Sequence, residues 1–361
     1  MKAKHGGNIY EIAKQYGIDE NEILDYSANI NPLGIPSKFK ETIISRIDVI
    51  ENYPDPDYKD LVSAIARYND IDEKFIIPGN GATEIIFQIA QAVKPNKSLL
   101  LAPTFLEYER ALRRVGSEIE YYFLKENDDF RINKKDFLEK LNDDIDLVVI
   151  CNPNNPTGQI TSKKVLFEIL NECKNKDIKL MLDEAFIEFL DNEDENSLME
   201  YLKDYDNLFI IKALTKFFAI PGLRLGYGLM SNPKIRESII NRKEPWTING
   251  FAAISGEVLL GDKDYINRSK EFFKTERKYM YERLKEIKGI KAYEPYANYV
   301  FFKLMNEKIM DLRTALIREK ILIRQCDNYV NLDNNFFRVA IKDRKSNERL
   351  IKALREVLYE G

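Results

Sequence analysis

The 361-residue chain predicts an α/β fold, a mostly parallel sheet flanked by helices, with a smaller α+β domain attached. Three observations predict it. The chain is too long for one simple core, so a large domain with a smaller companion is the natural division. Short apolar runs alternate with polar helical stretches through its middle, the pattern of strands covered on both faces by crossover helices. In the C-terminal third that alternation gives way to a different order of helices and strands.

The apolar runs are Ser98–Ala102, Asp146–Cys151, Ile178–Leu182, Leu208–Ile211 and Leu225–Met230, separated mostly by amphipathic segments such as Lys163–Lys176. Ahead of them the glycine-rich Phe75–Glu84 (FIIPGNGATE) leads into an apolar helical stretch, Ile85–Val93. After them comes a long charged helix over Lys263–Ile287, then strand-like Tyr299–Leu304 and a helix near Met310–Glu319. Strand-like Ile321–Arg324 and Phe336–Ile341 and a last helix from Ser346 complete the chain. The expected division is a large domain over residues 44–261 and a small domain built from 1–43 with 262–361.

An apolar fraction of 44% supports a substantial core, and the net charge of −4 is spread along interleaved acidic and basic residues. Nucleic acid is therefore not an expected partner, because that binding needs concentrated positive charge. Small anions need only a few local cations. Cys151, Cys173 and Cys326 are odd in number and lack CxxC spacing, which excludes a disulfide framework or a cysteine zinc site and fits a reducing cytoplasm. Neither a signal peptide nor a membrane-length apolar run occurs, so no membrane partner is expected either.

The chemistry concentrates in four segments. In Ile210–Gly228 (IIKALTKFFAIPGLRLGYG) a strand end runs into Thr215 and Lys216. Most lysines are solvated surface charges. Lys216 instead has apolar flanks in Leu214, Phe217, Phe218 and Ile220, a setting that lowers an amine's pKa and favours Schiff-base formation. Arg224 follows, placed to fold back on a phosphate. In IKLMLDEAFIEF, Asp183 ends an apolar strand, where ligands bind in open α/β sheets. It suits a protonated pyridine nitrogen, or alternatively caps a following helix. In CNPNNPTG a rigid turn presents Asn155 as a donor to a phenolate oxygen. In FIIPGNGATE the backbone N–H groups of Gly81, Ala82 and Thr83 open a helix toward an anion. Phosphate cradle, ring-nitrogen partner, phenolate donor and Schiff-base lysine are the requirements of one cofactor, pyridoxal 5′-phosphate (PLP).

In this order the segments resemble the fold-type I PLP enzymes, the aspartate-aminotransferase-like family, over essentially the whole chain. Two subfamilies compete, L-threonine-O-3-phosphate decarboxylase of cobalamin biosynthesis and histidinol-phosphate aminotransferase. The decarboxylase resemblance is closer, through HGGNIYEIA, LDYSANINPLGIP, ENYPDPDY, EPWTINGFAA, ILIRQCDNY and FFRVAIKD. The resemblance implies that Lys216 carries PLP and shuttles protons, that Asp183 pairs the ring nitrogen and that Asn155 holds the phenolate oxygen. It assigns the phosphate to Ala82, Thr83, Thr215 and Arg224, with Tyr53 reaching in from a second subunit of a homodimer, and stacks Tyr108 on the ring. His5, Asn29, Arg324 and Arg338 form the implied substrate set. His5, the single histidine, is followed by Gly6-Gly7-Asn8, a specific turn more than a loose tail, and suits an anionic group.

Position 186 is Phe where aminotransferases of this kind commonly carry Tyr, which leans toward the decarboxylase. The expected substrate is a small phosphorylated amino acid or amine. The leading expectation is L-threonine O-3-phosphate, decarboxylated to (R)-1-amino-2-propanol O-2-phosphate; the alternative is transamination of histidinol phosphate. A non-catalytic PLP-binding sensor is the remote alternative, and the segment ahead of Ile44 shows no basic recognition helix.

Overall fold

A computed structural model describes residues 6–305 and 311–359. His5 lies outside the described residues.

The centre is a seven-stranded sheet. From one edge to the other its strands are Ile76–Gly79, Gly226–Met230, Leu208–Ala213, Lys179–Asp183, Leu147–Cys151, Lys97–Ala102 and Glu118–Phe123. All run parallel except Gly226–Met230, which is antiparallel to both neighbours. The inner strands Leu147–Cys151 and Leu208–Ala213 are buried at every position. Helices cover both faces, which is why these strands read as continuous apolar runs rather than alternating ones.

Registered pairing brings Cys151 level with Asp183, and Asp183 level with Ile211. The carboxyl ends of three adjacent strands thus form one ledge, the position at which open α/β sheets bind ligands. Glycines let the helix Ala82–Val93 lie close against the sheet beside that ledge. A Cβ on Gly226 would stand 2.5 Å from the Ala82 nitrogen, and one on Gly228 would stand 2.8 Å from the Ile85 side chain.

The C-terminal part forms a second, antiparallel sheet ordered Arg324–Gln325, Phe336–Ala340, Tyr299–Leu304, Ile290–Ala292. The helices Lys263–Lys285 and Arg344–Tyr359 are joined by Glu276, which accepts from Arg344 Nη2 at 2.8 Å and from Asn347 Nδ2 at 3.0 Å. The N-terminal strand Leu24–Asp25 pairs in parallel with Ile321–Leu322. Residues 26–31 then tie both parts together: the Tyr26 carbonyl accepts from Ala340 N–H, and Asn31 Nδ2 donates to the Phe217 carbonyl at 2.8 Å. That bridge carries Ser27 and Asn29 to the ledge.

Candidate active site

A cavity of about 470 Å³ opens over the ledge. Asn29, Ala82, Thr83, Tyr108, Asn155, Asp183, Thr215, Lys216, Arg224 and Arg338 all line it. Ten residues picked from seven separated segments of sequence therefore meet at one place.

Lys216 sits on the single-turn helix Leu214–Phe217 at the end of its strand. Its carbonyl is held by the Asn31 N–H at 3.1 Å. Burial, with Arg338 and Arg224 nearby, lowers its amine to about 8. An amine in that range is neutral often enough near physiological pH to act as nucleophile or base.

Asp183 is buried, and burial pushes its carboxyl upward. Two donors oppose that shift: the Tyr108 hydroxyl meets Oδ2 at 2.5 Å, and the Ala185 N–H meets Oδ1 at 2.9 Å. The second bond closes a short turn and is not the expected helix cap: the helical turn that follows, Ile187–Phe189, has Phe186 at its N-cap, so the Asp183 carboxylate closes its own turn and faces the cavity. Asn155 accepts from Arg338 Nη1 and from the Tyr329 hydroxyl at Oδ1, which turns its amide nitrogen into the donor available to a ligand oxygen. Arg338 also donates from Nη2 to the Ser27 carbonyl at 2.9 Å. Its Nε has no hydrogen-bond partner among the described residues, nor has the buried Oδ1 of Asn29.

Gly81 stands behind the lining rather than in it. Its φ of +82° suits glycine, and a Cβ there would lie 2.6 Å from Arg224 Nη2. Glycine thus lets the Arg224 guanidinium rest against the start of the helix Ala82–Val93. The N–H groups of Ala82 and Thr83 precede the first bond of that helix, Glu84 N–H to the Gly81 carbonyl, so the cation and these two backbone donors converge on one spot suited to an anion. A phosphate cradle, a carboxylate at the sheet ledge and a low-pKa lysine together fit PLP.

Arg324 lines an adjoining cavity of about 450 Å³, which shares Gly6 and Ser27 with the first. It stands directly across the sheet register from Arg338. Its Nη2 donates to Asn328 Oδ1 at 2.6 Å, and its guanidinium lies over the Tyr329 ring. Tyr53 is not in either lining; it is 80% exposed, with its ring 4.7 Å from that of Trp246. Ser27, Cys151 and Tyr329 line the cavity without having been singled out as site residues. Ser27 and Tyr329 do fall within the resembling stretches LDYSANINPLGIP and ILIRQCDNY. Phe186 lines the cavity too, its ring edge-on to Tyr299. Among the described residues no cluster of histidine, cysteine or acidic side chains could hold a metal, and no helix is long and apolar enough to cross a membrane.

A family model for aminotransferase class I and II matches residues 19–354. The chain belongs to this family. It is a PLP-dependent enzyme. The threonine-phosphate decarboxylase of Salmonella typhimurium is 41% identical over 99% of this chain and 97% of its own length. A histidinol-phosphate aminotransferase from Methanococcus aeolicus is 30% identical over 98% and 95%. Among solved structures, the histidinol-phosphate aminotransferase from Clostridium acetobutylicum superposes with a TM-score of 0.86 and 39% identity, covering 93% of this chain and 99% of that one.

Proposed function

We propose that this aminotransferase-family enzyme decarboxylates L-threonine O-3-phosphate. The observation that carries the reading is the pair of arginines, Arg338 and Arg324, set opposite each other on adjacent strands beside Lys216's cavity. Two cations at neighbouring subsites suit a substrate with two anionic groups, an α-carboxylate and a phosphate. Histidinol phosphate has only the phosphate. The 41% identity to a threonine-phosphate decarboxylase supports the same choice.

Bound PLP supplies an electron sink for the pair released at the substrate α-carbon. The protein's own residues do the rest. Asp183 pairs with the ring nitrogen, Asn155 donates to the phenolate oxygen, and Ala82, Thr83, Thr215 and Arg224 hold the phosphate. Arg338 and Arg324 fix the substrate's two anionic ends and so decide which bond at the α-carbon is aligned to break. A charge-assisted hydrogen bond is worth about 1.5–3 kcal/mol, enough to select one pose over another. When carbon dioxide leaves, Lys216 returns a proton to the α-carbon.

The second reading, transamination of histidinol phosphate, is favoured by the 39% identity to the Clostridium structure. Product analysis with both substrates side by side tests the choice. Carbon dioxide and 1-amino-2-propanol phosphate from threonine phosphate, with no keto-acid-dependent amino transfer, support the decarboxylase. Rapid amino transfer from histidinol phosphate to 2-oxoglutarate overturns it.

The active assembly in this reading is a homodimer in which Tyr53 completes the neighbouring phosphate site. Exposed Tyr53 and Trp246, with exposed Ile47 and Ile50 on the segment just ahead, offer the apolar surface such a dimer would cover. Sedimentation equilibrium of the purified protein tests this; a monomer that retains full activity excludes it.

A further inference from the structure

We propose that the Tyr108 hydroxyl, beyond any stacking by its ring, is a positioning group that holds Asp183 ionised and fixed in orientation for the cofactor's ring nitrogen. The inference rests on the reading of Asp183 as that nitrogen's partner.

The geometry is specific. Tyr108 is the second residue of the helix Glu107–Arg114, while Asp183 ends a strand of the central sheet, so the bond joins two separate elements. Both residues are buried, Tyr108 completely. Each carboxylate oxygen takes one donor, Oδ1 from its own turn and Oδ2 from Tyr108. Two donors from different directions fix the plane of the carboxylate and its remaining lone pairs. A lone donor would leave it free to rotate about the bond to Cβ.

The direction of donation is settled by the surroundings. Burial, and then the neighbouring Asp183 carboxylate, push the Tyr108 phenol well above its ordinary value, so the hydroxyl keeps its proton and donates. Cys151, packed against the pair, is likewise held neutral by burial and by Asp183. Burial drives Asp183 toward its neutral form, and the hydroxyl bond works against that drive. A neutral Asp183 could not balance a cationic ring nitrogen. A hydrogen bond to a charged acceptor is also the strong kind.

Tyr108→Phe keeps the ring and removes only the hydroxyl. PLP affinity of the apoprotein should fall roughly tenfold, the low end of what one charge-assisted hydrogen bond contributes. The pH midpoint of the bound cofactor's visible absorbance should move upward, toward that of Asp183→Asn. In the Asp183→Asn background the same Tyr108→Phe change should alter neither quantity, because no carboxylate is left to hold. Tyr108→Phe within twofold of wild type, with an unmoved midpoint, overturns the proposal and leaves Tyr108 a stacking residue. An equal loss with and without the Asp183 carboxylate also overturns it, in favour of a packing role. If Asp183→Asn alone leaves affinity and midpoint unchanged, the assignment of Asp183 fails instead.

Discussion

Lys212 and Lys216 stand four positions apart at the end of one strand and the start of the next turn, yet their amines shift in opposite directions. Successive strand residues face opposite sides of a sheet. Lys212 and Glu184 point away from the cavity, while Ala213 and Asp183, their immediate neighbours, line it. Behind the sheet, Lys212 lies 3.7 Å from Glu184 and 3.7 Å from Glu188, all three buried. Burial alone would depress its amine, but Glu188, Tyr227 and Glu184 overcome it and hold the lysine charged. On the cavity side Lys216 meets Arg338 and Arg224 instead, and its amine drops to about 8. The same residue type in the same strand end becomes a permanent ion or a reactive amine according to the sign of its neighbours. The paired ions also brace the two strand ends that deliver Asp183 and Lys216.

The largest effect that separates the two is catalytic. Lys216→Ala should lower turnover by roughly 10³-fold or more, since in the proposed mechanism it removes both the attachment point and the proton carrier. Lys212→Met should keep covalent cofactor attachment; loss of attachment there would end the distinction.

Stability comes next. Removing one partner of a buried ion cluster leaves uncompensated charge, so Lys212→Met should cost about 3–5 kcal/mol in denaturant unfolding. Glu188 sharpens this. Burial raises its carboxyl to about 7, and neither oxygen has a hydrogen-bond partner among the described residues. Adding Glu188→Gln to Lys212→Met should recover part of the loss.

The smallest effect has the opposite sign. Lys216 has a folded value below the unfolded 10.5, so between about pH 8 and 10.5 the unfolded chain binds more protons and apoprotein stability rises with pH. Below pH 8 the enclosed ammonium costs up to about 3 kcal/mol, lessened by its partial access to the cavity. Lys216→Met should therefore stabilise the apoprotein at pH 7 and lose that advantage as the pH passes through this window. A destabilised Lys216→Met apoprotein at pH 7 would contradict the assigned environment.

The fold was legible where burial is two-sided. The expected runs at Ser98–Ala102, Asp146–Cys151 and Leu208–Ile211 became strands within two residues of their expected ends. The expected helix over Lys263–Ile287 became Lys263–Lys285. The two edge strands, Ile76–Gly79 and Glu118–Phe123, were not read as strands. The first contains Pro78 and ends in glycine, tolerable at an edge; the second is half-exposed and mixes glutamate with aromatics. Strand-like Ile321–Arg324 splits into two short strands that pair with different partners.

In the site, Lys216, Asp183 and Asn155 were legible because each follows a recognisable strand with a local chemical oddity. The Lys212 cluster was not. Its meaning depends on Glu184 and Glu188, which follow the neighbouring strand and meet Lys212 on the same side of the sheet, a tertiary fact without local signature. The hydroxyl of Tyr108 on Asp183 and that of Tyr329 on Asn155 depend on tertiary contact in the same way.

The most direct test of the central claim is to load the enzyme with PLP, reduce it with borohydride and map the modified peptide by mass spectrometry. One pyridoxyl adduct per chain is expected, on Lys216, with Lys212 unmodified. An adduct on Lys212 or on a surface lysine, with Lys216 unlabelled, would contradict the claim.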